Sequence, residues 1–593
     1  MLSDSGVFSM RLGKAHMKRI CSLLLITVLL LFVPGCRHDS LGAVTSSFIG
    51  VPFAQDAKKN EHAHTDLCFE ELCDDAPDLE LEIQRMRELL FRIGKGEIGG
   101  KEAQRVLDER IKAFIRLRTA ASIAHVRYCA DTCSEENKAA YERLSNGIDS
   151  LACLLIDAQM SLSADPSLSS RYDPQTVERL RQEDALNDPS VQPLTTRERE
   201  LIGEYDALEQ MTVSSDGRNW TREQILSDPS LSYNAFSALY KAYRSAYNER
   251  AGRIFLDLIE TRKQTAETLG FDSYPAYGYA LYGRDYSPED ARLLAQTVKR
   301  ELVPVFLEML DSFYESNVRL SCGTFREQPT LRRVETVIQT LMPELQTPWE
   351  YMFSHGMYGF ESSGNRMPGS FTAYFEAYGA PFLFTSWDDS HEMPTTLLHE
   401  FGHYAGYYWN GVQRMESQDP LDLAEIDSQG LELLSISQYD ILYGALSDAA
   451  KQYSLTLVLY AVITGCMEDE FQQFAYRADR VSVDALNAEY ERLSKEYGLS
   501  EMGLSGESWT EISHTFRAPM YYISYATSML CALQLYLRDG VDHDGAIESY
   551  RTILMRPSGA TFRSMLKEAG LEDPFDPDAV SALAERIRSL CRE

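Results

Sequence analysis

Along much of the chain, apolar residues recur every three or four positions, the spacing that lines one face of an α-helix. From Leu79 to about Ala164 this predicts long amphipathic helices, for example in LEIQRMRELLFRIGKG, where Gly94 and Gly96 act as stops. A second helical set begins at Thr195 and is broken by a turn at Ser214 to Gly217. Strands and helices do not alternate and no internal repeat is visible, so the first half reads as a helical lobe. Between Tyr240 and Leu310 the pattern is helix, loop, helix, with Gly270 ending the first helix and Ser287-Pro288 starting the second. The main exception is Pro381 to Trp387, a short apolar run that predicts a strand.

That strand leads into TTLLHEFGHYAGYYW, Thr395 to Trp409, predicted as a helix. His399 and His403, four apart, project from one face about a turn apart and can reach a single ion. Glu400 can face the ion's water and take its proton, the H-E-x-x-H arrangement of zinc hydrolases. Gly406, Asn410, Gly411 and Pro420 are expected to break the helix and turn the chain back. A new helix then starts near Asp422 as DLAEIDSQGLELLSISQYDIL. Glu425 in its first turns is positioned as a third ligand of a two-His, one-Glu site, with Glu432 seven residues on along the same face. Farther along, SHTFRAPMYYISYATS brings together His514, Tyr521, Tyr522 and Tyr525, hydroxyl and imidazole donors suited to a developing oxyanion. Tyrosines at helical spacing are also common core residues.

The length of 593 residues suggests two or more lobes, or one large helical body. A net charge of −32 argues against nucleic acid or an anionic membrane surface as a partner. At the N-terminus, Lys18 and Arg19 precede an apolar run from Ile20 to Val33 that is short for a membrane span and suits a signal peptide. Its end, Val33-Pro34-Gly35-Cys36, resembles a bacterial lipoprotein signal, with Pro34 an unusual occupant. The expectation is an exported bacterial protein, lipid-anchored at Cys36 outside the cytoplasm and touching the membrane only there, whether translation starts at Met1, Met10 or Met17. Residues 37–75 read as a tether. Outside the cytoplasm Cys68, Cys73, Cys129 and Cys133 can form disulfides within or between close pairs.

HEFGH followed by AEIDSQGLE resembles the zinc site of the thimet oligopeptidase and oligoendopeptidase F family. The segment around GFDSYPAYGYALYGRDYSPED and the C-terminal MLKEAGLEDPFDPDAVSALAERIRSL are similar to oligoendopeptidase F in particular. The resemblance runs from about Tyr240 to the end. It implies a mainly α, two-lobed helical zincin-type metallopeptidase with a deep central cleft and a small β-strand edge before the zinc helix. The expected divisions are 1–36 signal peptide, 37–75 tether, 76–240 N-terminal lobe and 241–593 catalytic domain. One Zn2+ per chain would be held by His399, His403 and Glu425, with Glu432 behind a ligand histidine. Glu400 would activate the water, and Tyr525, then Tyr522 and His514, would stabilise the oxyanion. A glycine-bearing loop with Gly364 and Gly369, and a strand edge at Phe382, Leu383 and Phe384, would hold the substrate backbone. Asp427 stands where the family pattern has a small residue or proline, and Ala518-Pro519 where the thimet branch has a further tyrosine. The activity implied is endopeptidase cleavage of short peptides by a monomer. The alternatives are a helical carboxypeptidase or dipeptidyl carboxypeptidase akin to angiotensin-converting enzyme, and a non-catalytic peptide-binding lipoprotein.

Overall fold

The computed structural model describes residues 64–590, apart from 74–75, 173–175, 178–179, 182–184, 186–189, 216, 229 and 418. The apolar run, Cys36 and most of the expected tether lie outside the described residues. The fold is mainly α, in two lobes. Helices α1 (Leu79–Gly94), α2 (Gly100–Ala130), α3 (Glu135–Ser145) and α4 (Ile148–Ser163) follow the apolar periodicity. Asp78 caps α1 by accepting from Leu81 N at 3.0 Å, and α1 ends at Gly94 as the sequence suggests. Ile83, Met86, Leu107, Phe114 and Leu155 close a core of their own. The far half of α2 contributes Ile123, Val126 and Cys129 to the larger core, so this helix joins the two.

Next come α5 (Gln192–Asp206), the antiparallel hairpin β1 (Thr212–Ser215) and β2 (Arg218–Thr221), α6 (Tyr233–Thr268) and α7 (Pro288–Leu320). Position 240 lies inside α6. Ser287 caps α7 through Asp290 N, with Pro288 in the first turn, where its missing N–H costs nothing.

The second sheet has the order β3 (Tyr358–Gly359), β5 (Ala380–Thr385), β4 (Ser370–Phe375). The expected substrate edge at Phe382, Leu383 and Phe384 is corrected here. Strand β5 is central, parallel to β3 and antiparallel to β4, and those three residues are 2%, 0% and 1% exposed. A strand apolar on both faces has to be sandwiched, so the edge nearest the site is β4.

After the sheet come α8 (Met393–Ser417), α9 (Leu421–Leu434), α10 (Ser447–Arg477), α11 (Ile523–Asp539) and α12 (His543–Leu554). Helix α9 packs between α8 and α11, and α7 lies along α10. The expected break after Trp409 is a kink, with Asn410 non-helical at φ −133° and ψ 18°. Gly406 and Gly411 are sites of close approach. A Cβ on Gly406 would meet the Arg414 guanidinium at 2.6 Å, and one on Gly411 the Tyr374 hydroxyl at 2.7 Å.

Two further expectations change. The last stretch of the supposed tether is docked: Thr65 N donates to Tyr378 O at 3.0 Å, Phe69 N to His355 O at 2.9 Å, and His64 stacks on Tyr408 of α8 at 3.9 Å. Cys68, Cys73, Cys129 and Cys133 are all free thiols, with no disulfide among the described residues. Cys129 faces the core with its Sγ 3.1 Å from His125 Nε2, whereas Cys133, past the helix end, is exposed. Burial pushes the Cys129 thiol up to about 12, so it stays protonated and inert. Among the described residues no helix is long and apolar enough to cross a membrane.

Candidate metal centre and active site

Helix α8 places His399 and His403 on one face, their rings 5.2 Å apart and nearly perpendicular. Their partner α9 comes close because residue 402 is glycine. A Cβ there would meet Ser428 Cα at 2.7 Å and lie closer still to Asp427 O. The contact brings Glu425 to the histidines, and ligand atoms of His399, His403 and Glu425 lie within 4.8 Å of one another. Two turns along α9, Glu432 reaches back to His399, with Oε2 3.2 Å from Nδ1. That leaves Nε2 to face the cluster, as a ligand histidine requires. Burial works against the imidazolium, but the Glu432 hydrogen bond and charge outweigh it and lift His399 to about 9.

Glu400 is fully buried beside this cluster. Burial pushes its carboxyl up to about 8, against the opposing pull of His399 and of the Thr372 hydroxyl. Thr372 Oγ1 donates to Glu400 Oε2 at 2.8 Å and to its main-chain O at 2.9 Å. Alternation along β4 sends Ser370, Thr372 and Tyr374 to the α8 side, where Tyr374 stacks on Tyr407 at 5.4 Å. Phe371 and Phe375 face away, against His125 and Phe69. The predicted loop glycines fall just ahead: Gly364 is exposed, and Gly369, at φ +104°, opens β4. This loop is pinned to α2 by Thr132 N donating to Asn365 O and Met367 N to Cys129 O, both at 2.8 Å.

The third part comes from residues 513–525. His514 lies in a short helix, Ser513–Arg517, and Tyr521 and Tyr522 precede α11, with Tyr525 in its first turn. The His514 ring is 5.1, 5.2 and 6.2 Å from those of Tyr521, Tyr522 and Tyr525. Tyr521, which the sequence places in the run without a role, donates its hydroxyl to Glu425 Oε1 at 3.2 Å. The segment is held from several sides. Buried Arg262 of α6 donates to Glu198 Oε1 at 2.6 Å, to Tyr476 Oη at 2.8 Å and to the carbonyls of Thr515 and Phe516. Met520 has φ +64°, a strained value for a side chain of its size, and its N–H donates to Gln472 Oε1 at 2.6 Å. Arg284 donates to Tyr521 O at 3.3 Å and Ser524 Oγ at 2.8 Å and lies 3.8 Å from Asp422 at the start of α9. Arg284 thus ties the tyrosine turn to the ligand helix.

Residues 355–585 match peptidase family M3, a span that takes in every predicted site residue from Gly364 to Tyr525. Over that span the chain is similar to this family. It is a metallopeptidase, and peptides are its substrates. No curated protein matches the chain in sequence. Its fold is similar to that of a structure named PZ peptidase A with inhibitor 2, at TM-score 0.71 and 20% identity, covering 88% of this chain and 99% of that one. A Bacillus anthracis structure named oligoendopeptidase F gives 0.68 and 19%, covering 89% and 98%. Metallocarboxypeptidase 1 of Trypanosoma cruzi gives 0.51 and 14%, covering 85% and 100%. The donor set fits a cation. Among the described residues, His399 Nε2 and Glu400 Oε1 are buried without a hydrogen-bond partner, and two imidazoles and a carboxylate converge beside them.

Proposed function

We propose that this M3 peptidase is a zinc-dependent endopeptidase that cuts internal bonds of short peptides. The observation that carries the reading is the junction of three parts: the His399, His403 and Glu425 cluster, the buried Glu400 carboxylate, and the β4 edge hydrogen-bonded to it through Thr372. A peptide added in extended form along β4 is held by its main chain, which tolerates many side chains and leaves both ends free. That supports internal cleavage over release of C-terminal residues. His399, His403 and Glu425 hold the ion, Glu432 fixes His399, and Tyr521 fixes Glu425. Zinc at this position polarises the scissile carbonyl and acidifies water. Glu400 takes the proton of the attacking water and passes it to the leaving amine. Tyr525, with Tyr522 and His514, donates to the carbonyl oxygen as charge builds there. We further propose that the protein acts as an exported monomer, lipid-anchored through Cys36.

The test is cleavage of a mixed peptide library, with products mapped by mass. Internal cuts that stop with a chelator are expected. Glu400→Gln should lose about 10²- to 10⁴-fold in rate while keeping its metal. Sequential loss of C-terminal residues would instead support the carboxypeptidase reading, and a Glu400→Gln variant as fast as wild type would refute the mechanism. Labelling of the full-length chain with a fatty acid, abolished in Cys36→Ser, is expected for the anchor.

A further inference from the structure

Behind the metal cluster, on the far side of α9, four charged side chains meet in the protein interior. Asp427 is wholly buried. Arg414 donates to its Oδ2 at 2.5 Å, and Arg556 donates to Oδ1 at 2.7 Å and Oδ2 at 3.0 Å. Arg556 also donates to both oxygens of Asp419, the Oδ1 bond being 2.7 Å. The side chains of Arg414, Arg556 and Asp419 are only 5%, 1% and 16% exposed. The group joins three segments. Arg414 lies beyond the Asn410 kink of α8, Asp427 is in α9, and Arg556 follows α12. The joint is reinforced by Arg414 donating to Leu554 O at 2.9 Å, Asn410 to the same carbonyl at 3.2 Å, and Tyr550 Oη to Asp427 O at 2.6 Å.

Two residues apart on a helix point in nearly opposite directions, so Asp427 grips the back of α9 while Glu425 faces the metal cluster. This matters because a Glu carboxylate stands roughly 6 Å from its helix axis, and a turn of about 20° moves it by about 2 Å, several times the ~0.5 Å tolerance of a working site. Tyr521 holds Glu425 at its tip, and the setting of the helix beneath it is a separate matter. Burying two arginines and two aspartates is a poor route to stability, since apolar residues of similar volume serve as well. What such a group supplies is a defined rotational setting. We infer that Asp427, clamped by Arg414 and Arg556, is a positioning residue that sets the rotation of α9 and so brings Glu425 into register with His399 and His403. The kink at Asn410 belongs to the same device, because it turns the end of α8 so that Arg414 can fold back beneath Gly406.

The inference rests on the proposed ligand set, and the experiment separates the two. Zinc affinity is measured by chelator competition on the full chain, with the visible spectrum of the cobalt-substituted protein as a second readout of geometry. The wild type should bind one zinc, lost in His403→Ala; a wild type that binds none overturns the ligand set and the clamp together. Asp427→Asn should weaken zinc binding at least about tenfold and alter the cobalt spectrum. A quadruple variant, Asp427→Leu and Asp419→Leu with Arg414→Met and Arg556→Met, should melt close to wild type without metal, yet keep the weakened affinity. Wild-type affinity and spectrum in the quadruple variant would overturn the clamp as a positioning device and leave it a structural filler. Should the quadruple variant fail to fold, Asp427→Asn decides on the same two readouts, and wild-type values there overturn the clamp.

Discussion

Thr372→Val removes one hydroxyl at nearly constant volume and tests how the buried base is tuned. In the structure Thr372 Oγ1 donates to Glu400 Oε2 at 2.8 Å, while Glu400 Oε1 meets no partner among the described residues, so Thr372 supplies the one side-chain hydrogen bond seen there on the carboxylate. A hydrogen bond to a charged group contributes about 1.5–3 kcal/mol, and about 1.4 kcal/mol corresponds to one pKa unit. Its loss disfavours the anion, so the pKa of Glu400 moves up by about 1 to 2 units from a value that burial has already raised to about 8 in the metal-free site. The proposed base would act when deprotonated. The acid limb of kcat/KM should therefore shift to higher pH by the same amount, with about a 10- to 100-fold loss at a pH below both limbs and recovery in more alkaline buffer. The assay is the pH profile on a quenched-fluorescent peptide, with metal content measured alongside so that loss of the ion is told apart from a shifted base. An unshifted acid limb with full metal loading would refute the assignment of Thr372 as the group that holds Glu400 in its charged form.

Other predictions follow from the same geometry. Glu432→Gln should weaken metal binding about 10- to 100-fold, read by chelator competition, because His399 loses the carboxylate that orients it. Gly402→Ala puts a methyl against the backbone of residues 427 and 428, so it should lower stability by about 1–3 kcal/mol or more and reduce metal retention. Glu468, wholly buried with Tyr490 donating to it at 2.5 Å, is held by burial at about 8, above its ordinary 4.5. The folded state therefore keeps a proton that the unfolded chain releases, and stability present below pH 4.5 is lost as pH rises toward 8. Glu468→Gln should flatten this part of the pH dependence in urea titrations at pH 5 and 8.

Much of the helical framework was legible because its signals are local. Gly94 and Ser287 end and start helices where their backbone chemistry says they should. The convergence of the candidate ligands was legible for a similar reason, since four- and seven-residue spacings fix which side chains share a face of α8 or α9. The supports of the site were not. Arg284 sits in a segment whose pattern reads only as helix, loop, helix, and its contacts with Tyr521, Ser524 and Asp422 span more than a hundred residues. Gly406 and Gly411 read as breakers because glycine ends helices and also permits close packing, and only the neighbours, Arg414 and Tyr374, distinguish the two uses. The paired-looking cysteines failed because Cys129 follows the apolar face of α2 into the core, away from Cys133.

The misplaced strand edge is different, because the sequence did contain the discriminating pattern. Pro381 to Phe384 is apolar at every position, which suits a strand covered on both faces and excludes one that borders a polar cleft. The preceding SFTAYF alternates, with Ser370 and Thr372 on one face and Phe371, Ala373 and Phe375 on the other. That is the signature of a strand with one face in the core and the other turned to something polar, and Glu400 is the polar group it meets. Choosing the edge by apolar strength favoured β5; choosing it by alternation selects β4. The consequence is chemical as well as topological. The strand proposed to hold a peptide main chain along its edge also carries the hydroxyl bonded to the proposed base. A shift in β4 as substrate docks would thus act on Glu400 directly, through a single 2.8 Å hydrogen bond.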